Sequence, residues 1–367
     1  MTKSAPKALP LATLAKSLSV VGLLGCACMG PARAQGKGNV TVYGRLVEGI
    51  NYQSRQYLGW DEVNGRAIVG SRWGIDGNVW GTSMFGIQGT EDLGGGMQAY
   101  FNLESGLDGS TGAVSGGSGL WTRRALVGLS GRWGSVKLGR SLALPTDVIW
   151  RLDSGGQQAM GTATLVKGRN WQTYSNQIDY TTPNLGGFTA QGVYGMGEAA
   201  GSTRKNRTGG VSLAYVQANY ELRAMYDVAN DANGRYSSLF QYSKEATLGG
   251  AVTRGKWRLF AGYQRLSAPA VASGPDKARH LWAGATYQVM PALTLIGGAY
   301  HVELNRDTGT AKLFMVGANY YLSSRTLLYA SVGTVRNGAQ TSFAVETGDS
   351  VAGQNQSAFY SGISHSF

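Results

Sequence analysis

Leu293-Thr294-Leu295-Ile296-Gly297-Gly298-Ala299-Tyr300 sets apolar side chains at alternate positions with small or polar residues between them. The pattern recurs in Val40-Thr41-Val42-Tyr43-Gly44-Arg45-Leu46, in Trp257-Arg258-Leu259-Phe260-Ala261-Gly262-Tyr263 and in Leu327-Leu328-Tyr329-Ala330-Ser331-Val332-Gly333. A period of two is the mark of a strand, and segments of about ten residues match a tilted strand that spans a bilayer. No heptads, linkers or long helical periodicities compete with it.

The breaks between these segments alternate in length. Short turns are expected at residues 90–96, 132–135, 184–187, 217–219, 254–256, 290–292 and 323–325. Long loops are expected at 53–82, 108–120, 142–170, 198–208, 229–238, 267–276, 305–310 and 338–354. Fifteen connections imply sixteen strands. Short turns at one end and long loops at the other predict an all-β fold, a 16-stranded antiparallel transmembrane β-barrel of the bacterial outer-membrane type. Sixteen strands leave a lumen wide enough for water. In Phe359-Tyr360-Ser361-Gly362-Ile363-Ser364-His365-Ser366-Phe367, one face carries Phe359, Ile363, His365 and Phe367. An exposed apolar edge invites aggregation, so this stretch reads as a last strand closing on the first.

Composition agrees. Only 15% of residues are charged, against roughly 25% in ordinary soluble domains, and Tyr (19) outnumbers Phe (9) and Trp (9) combined, as suits aromatic girdles at a membrane boundary. Lys3, Lys7 and Lys16 precede the apolar run Leu18-Ser19-Val20-Val21-Gly22-Leu23-Leu24, and Ala32-Arg33-Ala34 is a small-x-small site. Residues 1–34 therefore read as a cleaved export signal, with residues 35–367 as the barrel domain. Leu23-Leu24-Gly25-Cys26 loosely resembles a lipoprotein box, a competing reading. Both cysteines, Cys26 and Cys28, fall inside the signal, so a mature chain has no disulfide, Cys–metal site or thiol nucleophile. Removing the signal's four cations lowers the net charge from +12 to +8. For an exported chain this points to anionic solutes and lipopolysaccharide phosphates, with no nucleic acid. Past Gln35 no run of 18 apolar residues forms a transmembrane helix.

Several stretches resemble the general diffusion porins of β-proteobacteria, the Gram-negative porin family. They are Val40-Thr41-Val42-Tyr43-Gly44; Thr90-Glu91-Asp92-Leu93-Gly94-Gly95-Gly96 with its following strand to Gly106; Arg124-Ala125-Leu126-Val127-Gly128-Leu129-Ser130-Gly131 with Lys137-Leu138-Gly139-Arg140; Tyr180-Thr181-Thr182-Pro183-Asn184-Leu185-Gly186-Gly187-Phe188; and the terminal Gly362 to Phe367. The resemblance spans the mature chain in order. It implies a homotrimer of barrels in outer-membrane lipid, with the third long loop, residues 142–170, folded into each lumen as a constriction. Acidic loop groups would face basic wall groups, setting up a transverse field that selects solutes by size and charge. The chain departs from the family at Met84, in Ser83-Met84-Phe85-Gly86, where an arginine is usual; a similar Ser71-Arg72-Trp73-Gly74 lies earlier, so Arg72 has either moved with the motif or a wall arginine is lost. Asp179, Ser364 and Ser366 also stand where cations are usual.

Strand alternation turns Arg45, Lys137 and Arg258 away from the apolar face, because a cation facing mid-bilayer lipid costs roughly 2–4 kcal/mol. Arg123 matches a wall arginine, or is a solvated charge at a loop edge. Arg140 alternates with Val136 and Leu138, so only a bulge or the strand end turns it inward. Asp147, Arg151 and Asp153 are the charges near the start of the third loop, with Lys167 and Arg169 at its end; they line the lumen or make ordinary loop salt bridges. Glu48 falls on the face of Leu46 and Ile50, so it lies near the periplasmic end, at a subunit interface or beside a bulge. Arg204-Lys205-Asn206-Arg207 either meets lipopolysaccharide or a neighbouring subunit, or is a solvated loop tip.

Expected function is a water-filled channel for passive diffusion of ions and small hydrophilic solutes, weakly anion-preferring. The alternative is a solute-specific channel on the same barrel, which would want a rising strip of lumenal aromatics. No enzyme is expected, since the mature chain has only His280, His301 and His365 and no paired nucleophile. No cofactor or metal site is expected, and an adhesin would leave the third loop unexplained.

Overall fold

Alternation carries through from sequence to sheet. In the strand Trp257–Ser267, Trp257, Leu259 and Tyr263 are exposed while Phe260, Gln264 and Leu266 are buried. A computed structural model describes residues 38–346 and 350–367; the expected export signal lies outside them. Eighteen strands run in chain order: β1 (Asn39–Asp61), β2 (Arg66–Gly77), β3 (Ser83–Gly94), β4 (Met97–Leu107), β5 (Val114–Ser115), β6 (Arg124–Gly131), β7 (Gly134–Leu142), β8 (Thr173–Thr181), β9 (Phe188–Gly195), β10 (Thr208–Val216), β11 (Tyr220–Ala229), β12 (Lys244–Arg254), β13 (Trp257–Ser267), β14 (Lys277–Met290), β15 (Leu293–Leu304), β16 (Gly309–Tyr321), β17 (Thr326–Asn337) and β18 (Gln356–Ser366). Between β7 and β8 lie the short helices α1 (Leu144–Ile149) and α2 (Thr162–Val166), with 3-10 turns at Trp150–Leu152 and Lys167–Trp171.

These eighteen strands make sixteen staves. β2 and β3 lie end to end along one edge of β1, which pairs through Glu48–Asp61 with β2 and through Asn39–Arg45 with β3. β5 is a two-residue patch on β4. All pairings are antiparallel, and β1 also pairs with β18, from Arg45↔Ser366 to Gln53↔Ala358. The sheet thus closes into a barrel, which removes the aggregation hazard of an open sheet, while beyond Gln53 the β1–β2 hairpin pairs only with itself. Gly44 and Phe367 complete the seam by exchanging backbone hydrogen bonds at 3.2 and 3.1 Å.

The seven expected short turns all occur. At the first, Gly94, Gly95 and Gly96 all have positive φ, a conformation that side-chain-bearing residues rarely adopt. The first long connection differs from the expected loop at 53–82. β1 runs on to Asp61 and turns back through β2, forming a hairpin in which Tyr52 and Trp73 pack with ring centroids 4.9 Å apart. Bulges between Gln53 and Gln56 and between Tyr57 and Gly59 shift its register, which erases the period of two. The connection expected at 305–310 is a four-residue turn between Leu304 and Gly309.

Candidate functional site

One row of paired residues crosses four strands: Tyr43 opposite Gly86, Gly86 opposite Glu104, Glu104 opposite Arg124. Gly86 leaves space that a Cβ would fill at 2.5 Å from the Tyr43 ring. Tyr43 therefore lies across β3 and its hydroxyl donates to Glu104 Oε2 at 2.8 Å. Glu104 is 2% exposed, and such a carboxylate needs partners. It accepts from Arg123 Nε at 2.7 Å and has Arg124 Nη1 at 3.8 Å. Arg123 also donates to the Thr82 hydroxyl, and Arg45 donates to the Thr82 carbonyl at 2.9 Å through Nη2 while lying over the Trp80 ring. Arg45 stands opposite Met84 in the sheet. Arg72 remains on the β1–β2 hairpin, paired with Asp76 at 3.0 Å.

The segment between β7 and β8 meets this patch from the other side. Pro145 opens α1, where a missing N–H costs nothing. In the same first turn, Asp147 Oδ1 approaches Arg124 Nη2 at 3.8 Å. Gln157 Oε1 accepts from Arg45 at 2.9 Å. Between segment and wall lies a cavity of about 250 Å³, lined among others by Arg45, Glu104, Arg123, Arg124, Asp147 and Arg151. A second cavity, bordered by Lys137 and Gln98, shares Arg124, Asp147 and Arg151 with the first. Those three residues stand where the two spaces meet.

Polar tethers hold the segment to distant strands. Trp282 on β14 donates to the Leu152 carbonyl at 2.8 Å, Ser154 donates to the Gly297 carbonyl on β15 at 2.9 Å, and Ser331 on β17 donates to Gln158 at 2.7 Å. Asp153 is buried; it accepts from the Tyr300 hydroxyl and from the backbone N–H groups of Gly155 and Thr162. Burial pushes its carboxyl up, against these hydrogen bonds. At the far end, fully buried Arg169 contacts Asp227 on β11 and Glu245 on β12, the latter at 3.3 Å. Burial alone would lower the Arg169 guanidinium; Asp227, Tyr174 and Glu245 outweigh it and raise it. Three wall glycines make room. A Cβ on Gly249 would stand 3.0 Å from Leu152, one on Gly284 2.1 Å from Ser154, and one on Gly333 2.5 Å from Met160.

Of the residues singled out from sequence, Arg45, Arg123, Asp147 and Arg151 therefore gather round one cavity, with Asp153 buried at its border. Lys137 lines the second cavity and pairs with Asp179 at 3.0 Å. Arg140 turns on a bulge: Gly139 has φ +127° and the register with β8 shifts there. Its guanidinium donates to the Thr122 carbonyl at 2.8 Å and to the Thr173 and Ser175 hydroxyls. Arg258 is apart from both cavities and pairs with Glu221 at 3.0 Å. Sequence reasoning passed over Glu104 and Arg124 as site residues. Each is on the side of its strand away from the exposed apolar residues, which was the available signal.

Comparison with known proteins adds a family. A family model described as Gram-negative porin matches residues 20–340. Outer membrane porin protein 32 of Delftia acidovorans is 29% identical over 372 residues, covering 95% of this chain and 99% of that protein. An outer membrane porin protein of Bordetella pertussis is 27% identical over 357 residues, covering 83% of this chain and 90% of that protein. A solved structure described as an anion-selective porin from Comamonas acidovorans superposes with a TM-score of 0.77 at 24% identity, covering 90% of this chain and all of that one.

Proposed function

Because the chain belongs to the Gram-negative porin family, outer-membrane transport barrels and not enzymes, we propose that it forms a water-filled channel for passive diffusion of ions and small hydrophilic solutes, with a weak preference for anions. The observation that carries this reading is the charge balance round the first cavity, where Arg45, Arg123, Arg124 and Arg151 outnumber Glu104, Asp147 and the buried Asp153. Low-dielectric walls focus such a potential on a passing ion. In this reading residues 142–170 fold into the lumen as the constriction, supported by the tethers from Leu152, Asp153, Ser154 and Gln158 to β14, β15 and β17. Arg45, Arg123 and Arg151 form its basic side and Asp147 its acidic side. Asp153 anchors the loop, while Lys137, Arg140 and Arg258 line the wall beyond it. Selectivity in the related structure described as anion-selective points the same way.

Residues 1–34 serve as the export signal, and the mature barrel assembles as a homotrimer among lipopolysaccharide. Trp73 and Ile75, each 67% exposed on the first hairpin, suit a neighbouring copy. A solute-specific channel is less well supported, since Trp150 and Trp171 are the aromatics among the residues lining the first cavity.

The test is single-channel conductance in planar bilayers with the zero-current potential under a salt gradient. Steps in threes and a potential favouring chloride are expected. Arg45→Gln and Arg123→Gln should each lower the anion-to-cation permeability ratio about threefold, as expected for one charge in a focusing cleft. Cation preference in the unmodified protein would overturn the charge assignment, and silence from a folded barrel would overturn the channel.

A further inference from the structure

Cations on the outer wall are concentrated on one arc. Along β13, β14, β15, β16 and β17, Leu266, Ala278, Val302, Leu313 and Val335 are at most 1% exposed. Alternation therefore turns their neighbours Arg265, Arg279, Glu303, Lys312 and Arg336 outward, near the long-loop ends of these strands. The outward faces of β8, β9, β10 and β11 carry no charge at any level. Cross-strand pairing makes the arc electrostatically unfavourable as it stands. Arg265 lies directly opposite Arg279, and Lys312 directly opposite Arg336, and like charges in that relation repel. The one acid, Glu303, is 3.9 Å from Arg279 with both side chains more than half exposed, a contact worth little. Among the described residues, Arg265, Lys312 and Arg336 have no ion pair.

Below the cations the same strands carry an open apolar groove. Ala283, Ala285, Gly297 and Ala299 form its shallow floor, and Phe314 and Val332 stand at its side. The Arg336 guanidinium lies over the Phe314 ring at 5.7 Å, so the charged arc and the groove are continuous. The two cationic pairs are three strand spacings, about 14 Å, apart across the strands and offset by two residues, about 7 Å, along them. Ala283 follows Arg279 by four residues, about 13 Å further towards the short turns.

We propose that this arc is a docking site for one bisphosphorylated glycolipid of the outer leaflet. One phosphate sits between Arg265 and Arg279, the other between Lys312 and Arg336, and an acyl chain lies in the groove over Ala283 and Ala299. Both observations are needed: the cationic pairs call for anions, and the groove calls for a chain attached to them. The inference rests on the reading above that the barrel sits among lipopolysaccharide, and not on the channel's selectivity.

Native mass spectrometry of the full-length folded protein in detergent tests it, with bisphosphorylated lipid A, its monophosphorylated form and phosphatidylglycerol as probes. The expected result is at least tenfold tighter retention of the bisphosphorylated lipid than of the other two. R265Q/R279Q and K312Q/R336Q should each abolish that difference, and Ala299→Trp should weaken binding of all three lipids. R204Q/K205Q/R207Q, in the loop after β9, should leave binding unchanged. Unmodified protein that retains the mono- and bisphosphorylated forms equally overturns the proposal without any variant. So does a pair variant that binds as the unmodified protein does, or a change in subunit number that shows a second copy covers the arc. Inorganic phosphate that displaces the lipid at equal concentration would make the site one for free anions. Bilayer conductance on the same samples separates this outcome from failure of the channel reading, because the arc variants should conduct normally.

Discussion

Glu104 holds the basic wall together. It satisfies Arg123, stands within 3.8 Å of Arg124 and takes the Tyr43 hydroxyl across the gap left by Gly86. Glu104→Gln keeps the shape and removes the charge. Breaking a buried pair costs about 3 kcal/mol when the partner stays buried, and Arg123 retains some solvent, so the expected loss is no larger than that. Urea midpoints of the refolded barrel should fall accordingly, while the zero-current potential moves further towards chloride. A midpoint unchanged within error would mean that Arg123 and Arg124 are already solvated. Sequence alone placed Arg45, Lys137 and Arg258 on the polar side of their strands, because alternation is a property of a single strand. It could not show that Tyr43, Gly86, Glu104 and Arg124 form one row, since register between strands leaves no trace in any one of them. Arg140 shows the reverse limit: its side of the strand depends on a bulge at Gly139, and a glycine in a strand permits a bulge without requiring one.

Elements that depend on local chemistry were the legible ones. Gly-rich turns, and strands with a clean period, stand where the sequence puts them. The β1–β2 hairpin was hidden by two bulges, and the tethers of the segment between β7 and β8 by their distance in sequence, from Leu152 to Trp282 and from Gln158 to Ser331. The seat of that segment gives a direct expectation. Gly333→Val would place side-chain atoms where Met160 Sδ stands and push the segment off the wall, so single-channel conductance should drop on the order of twofold if residues 142–170 set the bore. An unchanged step size from a folded barrel would locate the narrowest point elsewhere. The loop before β18 carries a different response. Burial raises the Glu346 carboxyl from its ordinary value of 4.5 to about 7, with Gln53 donating to it at 2.8 Å. A folded value above the unfolded one means the folded loop holds the proton more tightly. Its stabilisation is complete below about pH 4.5 and is lost as pH rises through about 7. Amide exchange in residues 338–346 should accelerate between pH 5 and pH 8 beyond its intrinsic rate, and Glu346→Gln should abolish that excess.

Closure is a property of the whole ring. Every stave is held by two neighbours, and β1 carries the seam, with β18 on one edge and β2 and β3 on the other. Gly44 is a tight point of the seam: a Cβ there would stand 2.3 Å from the Phe367 ring and 2.8 Å from the Met84 carbonyl. Gly44→Val should therefore cut the yield of heat-modifiable, closed barrel in refolding into vesicles, with open forms accumulating as aggregates. Normal yield would show that the ring can move aside without cost to the seam. The glycines at 249, 284 and 333 bear on the molecule in another way. They are a mould cut into one part of the wall for one particular insert, so neither piece is interchangeable by itself. A chimera that carried this insert into a barrel with alanine or valine at those three places would find no berth for Leu152, Ser154 and Met160. Segment and wall are in that sense inherited as a unit, and redesigning the one means recutting the other.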